Sequence, residues 1–214
     1  MPTTSARTRV RRLPELANHE RSMLHAIVDE SYVCHIAFSV EDGTHCIPTA
    51  HWRQGEYLYI HGSNGSRLIK ALKSGVQVSV AITLLDGLVL AKSAFSHSMN
   101  YRSAVAYGHF QEIHGQDEKL EALDMFMEKI ATGRKDEARR GNFKELAATS
   151  LMRMPLTETA VKVSDSEPAD KEEDIDLPVW AGILPLMTRR GMPIRADHSP
   201  CGTVPEYVKS WAAE

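Results

Sequence analysis

The sequence predicts a mainly β fold, an antiparallel barrel with peripheral α-helices, and three observations carry that reading. Between residues 32 and 114, short apolar runs rich in β-branched and aromatic residues follow one another, which is the chemistry of strands. Turn words separate them at short intervals, as in Glu41-Asp42-Gly43, Arg53-Gln54-Gly55 and Asp86-Gly87. The spacing leaves little room for the helical crossovers that a parallel sheet needs.

The elements follow in order. Residues Asn18 to Glu30 read as a helix, with Met23, Leu24, Ile27 and Val28 at helical spacing and Asn18 as its N-cap. Strands are expected over Tyr32 to Val40, His45 to Trp52 and Glu56 to His61. The loop Ser63-Asn64-Gly65-Ser66 opens a short helix, Arg67 to Lys73, which Ser74-Gly75 ends. Val76 to Leu84 and Leu88 to Phe95 read as two strands turned at Asp86-Gly87, and Ser103 to His114 as another. Asp117 to Ala131 is an amphipathic helix with the stripe Leu120, Leu123, Phe126, Met127 and Ile130. A further helix over Asn142 to Ser150 precedes strand character from Met152 to Lys162. The acidic stretch Ser164 to Asp176 reads as an exposed loop. Three regions result: a mobile N-terminal arm at 1–17, one domain at 18–186, and a loosely held tail at 187–214.

Composition narrows the function. The chain has 214 residues, 43 % hydrophobic and 25 % charged, with a net charge of −3. That is an ordinary globular balance with no basic field to recruit nucleic acid. No apolar run reaches the roughly 20 residues that span a bilayer. The arginines at 7, 9, 11 and 12 are not followed by the apolar core of a secretion signal, so a cytoplasmic location is expected. Cys34, Cys46 and Cys201 are an odd, scattered set, which argues against a disulfide framework. Cys34 and Cys46 read as core residues. Ten histidines raise the question of a metal, but HExxH is absent. His45 and His51, on one strand, would lie roughly 20 Å apart. No metal site is expected, while haem held by one axial histidine stays open.

Two segments carry binding chemistry. In His61-Gly62-Ser63-Asn64-Gly65-Ser66-Arg67-Leu68-Ile69-Lys70, a strand runs through glycines and hydroxyls into a helix bearing two cations. A phosphate would meet backbone N–H groups, Ser63, Ser66, a bidentate Arg67 and the point charge of Lys70. An ordinary capped loop reads equally well from composition. The second is Ser93 to Ser103, containing His97, Asn100, Tyr101 and Arg102, which is more polar than a turn requires; a long polar loop is the plainer reading. Trp180, between prolines, reads first as an anchor for the C-terminal segment.

Taken in order, Val33-Cys-His-Ile-Ala-Phe38, Ile47-Pro48, Tyr57-Leu-Tyr-Ile-His-Gly62, Ser66-Arg67, Thr83 to Phe95, His97-Ser-Met-Asn-Tyr-Arg-Ser103, Gly133-Arg134, Glu145 to Thr149 and Val179 to Leu186 make one pattern. It resembles the pyridoxamine 5′-phosphate oxidase-like superfamily, the FMN-binding split barrels, in the flavin-nucleotide-binding branch related to nitroimidazole-resistance proteins. The resemblance implies a six-stranded antiparallel split β-barrel and a homodimer with FMN at the interface. It places the phosphate on His61, Gly62, Ser63, Ser66, Arg67 and Lys70, and the flavin ring along Ile47, Pro48, Thr49 and Ala50. Polar contacts would come from Asn100, Tyr101, Arg102 and Ser103, and Trp180 would close the site from the partner subunit. His61 matches the histidine singled out in the nitroimidazole-resistance relatives and is the catalytic candidate. The strand His45 to His51 lacks the arginine and lysine of the vitamin-B6 oxidases, so oxidation of pyridoxamine phosphate is not expected. The resemblance implies an FMN-dependent oxidoreductase acting on a small nitro- or quinone-like molecule. A flavin carrier or sensor, and a haem- or deazaflavin-binding relative, are the alternatives.

Overall fold

The structure, a computed structural model, describes residues 5–212. Two antiparallel sheets enclose the main core. In chain order the elements are β1 (Ala17–Asn18), α1 (Arg21–Glu30), β2 (Val33–Val40), β3 (Gly43–Ala50), β4 (Trp52–Gln54) and β5 (Tyr57–Ser63). Then come α2 (Arg67–Lys73), β6 (Val78–Leu90), β7 (Ser98–Gly108), β8 (Gln111–Ile113), α3 (Gln116–Ile130) and α4 (Phe143–Ala148). The chain ends in β9 (Thr149–Pro155), β10 (Glu158–Ser164), β11 (Gly182–Pro185) and α5 (Glu206–Trp211). One sheet runs β1-β10-β7-β6-β2-β3, with β11 added on β6, and the other runs β4-β5-β9-β8.

Strand alternation places Cys34, Ile36 and Phe38 of β2, Val78, Val80 and Ile82 of β6, and Leu58 and Ile60 of β5 in a common core. Leu24, Ile27 and Val28 of α1 and Leu68, Ile69 and Leu72 of α2 cap that core. A second cluster joins Trp52, Tyr59, Ile113 and Leu151 to Ala122 under α3. Trp52 stacks on Tyr59 at 5.6 Å between ring centres and meets Phe126 of α3 at 4.9 Å.

Several boundaries differ from expectation for identifiable reasons. The helix of residues 18–30 begins at Arg21: Asn18 belongs to β1, and its side chain accepts from the Glu20 N–H instead of capping the helix. The two strands expected at Val76 to Leu84 and Leu88 to Phe95 are one strand, β6, because Asp86-Gly87 forms a bulge in the pairing with β7, not a turn. Ser98 to Asn100 joins β7, so much of the polar Ser93 to Ser103 loop is strand. Met152 to Lys162 is two strands, β9 in the smaller sheet and β10 in the larger, joined by the turn at Leu156-Thr157. Among the described residues eleven strands therefore stand where about six were expected. Cys46 is exposed on the outer face of β3, whereas Cys34 is buried. The described part of the expected mobile arm is tied down: Arg7 and Ser5 bond Glu158, and β1 pairs with β10. In the tail, the Tyr207 hydroxyl donates to Glu137 and accepts from Arg134.

Candidate functional site

The loop between β5 and α2 is held rigidly. Asn64 donates to the Ala147 carbonyl at 2.7 Å, and its backbone N–H to the Ala148 carbonyl at 3.1 Å. The Ser150 hydroxyl donates to Asn64 Oδ1 at 2.5 Å. A Cβ on Gly62 would come 3.0 Å from the Ile69 side chain, so glycine lets α2 sit this close to β5 without displacing Ile69. Ser66 caps α2 by accepting from the Ile69 N–H. These bonds fix the base of a groove of about 460 Å³ lined by Gly65, Arg67, Lys70, Ala71 and Ser74 on one side and Val40 and Asp42 on the other.

The structure brings the two halves of the expected site together. Arg67 Nη1 lies 3.3 Å from His45 Nδ1, on β3, and 3.5 Å from Asp42 Oδ2. His45 Nε2 in turn lies 3.0 Å from Asp42 Oδ1. The hydrogen bond from His45, and then the nearby Arg67 guanidinium, hold the Asp42 carboxyl below its usual range. β3 is the last strand of its sheet, so the backbone groups of Ile47, Pro48, Thr49 and Ala50 that face away from β2 have no strand partner. The free strand edge and the cations of α2 thus meet at His45. Asp42 and His45 were not among the expected binding residues; the turn word Glu41-Asp42-Gly43 marked the place without indicating which helix it would face.

The other expected residues are distributed differently. Strand alternation sends Asn100 and Arg102 to one face of β7 and Tyr101 and Ser103 to the other, so no single ligand face holds all four. Asn100 is 4 % exposed, and both ends of its amide are engaged: Nδ2 donates to the Ser166 carbonyl while Oδ1 accepts from the Ser166 N–H and the Ser164 hydroxyl. It clamps the root of the acidic segment. Asn100→Ala should cost about 1–3 kcal/mol by stranding those backbone groups; limited proteolysis should show faster cleavage between residues 164 and 176. Arg102 forks onto both Asp86 and Glu30, which raises its already high pKa.

His61 does not join the cation groove. Leu58 and Ile60 of β5 face the main core, so Tyr59 and His61 face α3. The His61 ring packs edge-on against Phe126 at 4.7 Å, and burial lowers its pKa. Its Nδ1 is buried without a hydrogen-bond partner among the described residues. Trp180 is 68 % exposed; its indole lies over Gly182, where a Cβ would come within 2.6 Å of the ring.

A second, larger cleft, about 1510 Å³, opens where β6 lacks a partner between β2, paired as far as Ala81, and β11, whose last residue, Pro185, lies opposite Gly87. Tyr32, Val33, Leu84, Leu85, Met125 and Met187 give it apolar walls, and Arg53, Lys129, Arg189 and Arg190 bring cations. Lys129 donates to the Val28 carbonyl at 2.8 Å, and burial brings its pKa down to about 8. His51 Nε2 reaches the same carbonyl at 3.0 Å. Burial, reinforced by Lys129, lowers the His51 pKa to about 4. The unfolded chain therefore takes up that proton first: stability is complete above about pH 6.5 and declines as the pH falls toward about 4, by up to about 3 kcal/mol. Urea unfolding across that range should show the decline, and His51→Gln, which keeps a donor for Val28, should flatten it. No sequence signal marked this cleft, since its walls come from seven separate segments. Among the described residues no group of three or more His, Cys, Asp or Glu is placed to hold a metal ion, and no helix is long and apolar enough to cross a membrane.

Comparison with known proteins gives these features a family. Residues 20–163 match the family described as Pyridoxamine 5′-phosphate oxidase. No curated protein matches. Among solved structures, the FAD and Heme binding protein from Mycobacterium smegmatis is 34 % identical, with a TM-score of 0.88 over 92 % of this chain and 97 % of that one. Flavocytochrome Anf3 from Azotobacter vinelandii is 32 % identical, with a TM-score of 0.90 over 97 % of each chain. A putative 5-nitroimidazole antibiotic resistance protein from Bacteroides thetaiotaomicron, 20 % identical with a TM-score of 0.59 over 69 % of this chain and 86 % of that one, shares the fold. With a matched segment spanning most of the barrel and two relatives above 30 % identity across nearly the whole length, the chain belongs to the pyridoxamine 5′-phosphate oxidase family of split-barrel proteins.

Proposed function

We propose that this protein binds a flavin nucleotide along the free edge of β3, with its phosphate on Arg67 and Lys70, and uses it in redox chemistry on a small molecule. The observation that carries the reading is the 3.3 Å approach of Arg67 to His45, which brings the cations of α2 beside the open strand edge. The residues fit the group: Arg67 offers a planar fork to phosphate, Lys70 a point charge, and the unpaired β3 edge offers backbone donors and acceptors to the polar rim of the ring. Pro48 has no N–H, so donors at the ring come from its neighbours. When bound, the flavin supplies electron transfer; the chain positions it and sets the charge around it.

A homodimer completes this reading. The outer face of the larger sheet interleaves small side chains, Ala37, Ser79, Ala81, Ser103 and Ala160, with Val105 and Tyr107 of β7. A second copy packed on that face would bring its exposed Trp180 to the flavin. Haem alongside the flavin is a second reading, favoured by the two relatives described as an FAD and Heme binding protein and a flavocytochrome. The cleft has apolar walls and a mixed rim, with Asp29, Glu30, Asp86 and Glu128 beside Arg53, Arg102, Lys129, Arg189 and Arg190, and its size admits a planar macrocycle. No histidine or cysteine lines it, and the thioethers of Met125 and Met187 and the Lys129 amine are the groups there able to ligate iron.

The visible spectrum of the purified protein tests both readings. The bands of oxidised flavin, restored by adding flavin nucleotide to the stripped protein, are expected; a protein that takes up no flavin refutes the proposal. A Soret band adds haem. Turnover of a reduced nicotinamide with a nitro or quinone acceptor separates an enzyme from a carrier.

A further inference from the structure

A carboxylate stands where a phosphate grip has no use for one. Asp42 lines the groove beside α2 together with Arg67 and Lys70. The hydrogen bond from His45, and then the Arg67 guanidinium, favour its charged form. It lies 3.5 Å from Arg67, so it draws on the same guanidinium that an incoming anion needs. The geometry of His45 gives this acid a role. His45 Nε2 lies 3.0 Å from Asp42 Oδ1, and because that carboxylate is ionised, Nε2 carries the proton of the bond. Arg67 Nη1 is 3.3 Å from Nδ1 and 3.4 Å from Nε2, so the guanidinium sits over the imidazole and not at one of its nitrogens. One ring thus touches both the acid and the cation.

We propose that His45 is a positioning residue for the phosphate: it takes up a proton at Nδ1 as the phosphate binds, which frees Arg67 from Asp42 for the anion. The inference rests on the flavin reading above. Histidine is the side chain that changes charge near neutral pH, and a nearby anion favours its charged form. A second proton on the ring makes the Nε2–H bond to Asp42 charge-assisted, so the carboxylate is balanced without Arg67. The charged ring also repels the guanidinium above it, and Arg67 turns its fork to the phosphate. The groups facing His45 fit this account. The turn before β3 supplies Asp42, and α2 supplies Arg67, with Lys70 in the same groove. β2 supplies the uncharged Phe38 ring at 5.4 Å. β5 also packs against β3, but its Tyr57, Tyr59 and His61 turn to the other face, toward α3. The acid in the groove is then the counter-ion of a proton-accepting histidine.

The test is calorimetric titration of the flavin-stripped protein with FAD and with riboflavin, from about pH 6.5 to about pH 8.5. The two phosphates of FAD keep a fixed charge across that range, so a proton taken up goes to the protein. Runs in buffers of different ionisation heat measure that uptake. The natural protein should bind FAD about three- to tenfold more tightly at the acid end, with net proton uptake. Riboflavin, which has no phosphate, should bind alike across the range. His45→Phe keeps a ring beneath Arg67 and beside Phe38 but takes no proton. It should bind FAD at about pH 6.5 as weakly as the natural protein does at about pH 8.5, with no pH dependence. His45→Gln, which keeps an N–H for Asp42, should do the same, and thermal unfolding confirms that each variant is folded. An FAD affinity independent of pH in the natural protein, an equal pH dependence for riboflavin, or one that survives both substitutions overturns the proposal and leaves flavin binding intact. Absence of binding by both flavins overturns the underlying reading instead.

Discussion

Arg67→Ala should weaken flavin-nucleotide binding by at least about tenfold, and by more than any other single change in the groove. A charge-assisted hydrogen bond contributes about 1.5–3 kcal/mol, and about 1.4 kcal/mol is a factor of ten. Arg67 also bridges α2 to His45 and Asp42, so its loss removes the junction between phosphate and ring halves of the groove. Riboflavin, which lacks the phosphate, should bind the variant and the natural protein alike. Arg67→Lys should fall between, because a lysine keeps the charge and loses the fork. Fold stability should hardly change, since the side chain is 60 % exposed and its ion pair is at the surface. Fluorescence titration with FMN, FAD and riboflavin measures all of this; an unchanged nucleotide affinity would refute the assigned role.

The largest effect on stability is expected at Trp52. Its side chain is 1 % exposed and links the smaller sheet to α3 through Tyr59 and Phe126. Trp52→Ala should cost about 3–5 kcal/mol, combining lost burial and a large cavity. For a chain of this size that corresponds to a fall in Tm of roughly 6–20 °C. Trp52→Phe should be much milder. The indole Nε1 is buried without a partner, so removing that N–H relieves a desolvated donor while the ring contact is kept. Urea unfolding of the two variants distinguishes lost packing from lost hydrogen bonding. Trp52 also lines the larger cleft, so the alanine variant should lose any haem that cleft holds.

Much of the barrel was legible because strand alternation and helix periodicity are local. β2, α2 and α3 fall within a residue or so of expectation, since their apolar spacing and their stops lie within the element itself. The misread points involve information that a local window lacks. Asp86-Gly87 has the chemistry of a turn, and only the long pairing with β7 makes it a bulge. Cys46 looks like a core residue until β3 proves to be an edge with one face outward.

The candidate site divides the same way. The Ser63 to Lys70 segment was readable because its glycines, cap and cations are contiguous. The partnership of Arg67 with His45 and Asp42 was not, because it joins residues 22 and 25 positions apart through tertiary packing. His61 shows the converse. Its neighbours in sequence suggest a phosphate ligand, but a strand turns successive side chains to opposite faces, and this one turns toward α3. Asn100 likewise reads as a ligand contact and instead secures the acidic segment.

Amide hydrogen exchange with and without added flavin nucleotide tests the placement of the cofactor most directly, since it reports where backbone is protected. Slowed exchange is predicted in the peptides covering His45 to Ala50 and Ser63 to Ala71, with Arg67→Ala abolishing the second of these effects. Protection confined to the cleft peptides around Tyr32, residues 83–86 and residues 186–190, with β3 and α2 unchanged, would contradict it.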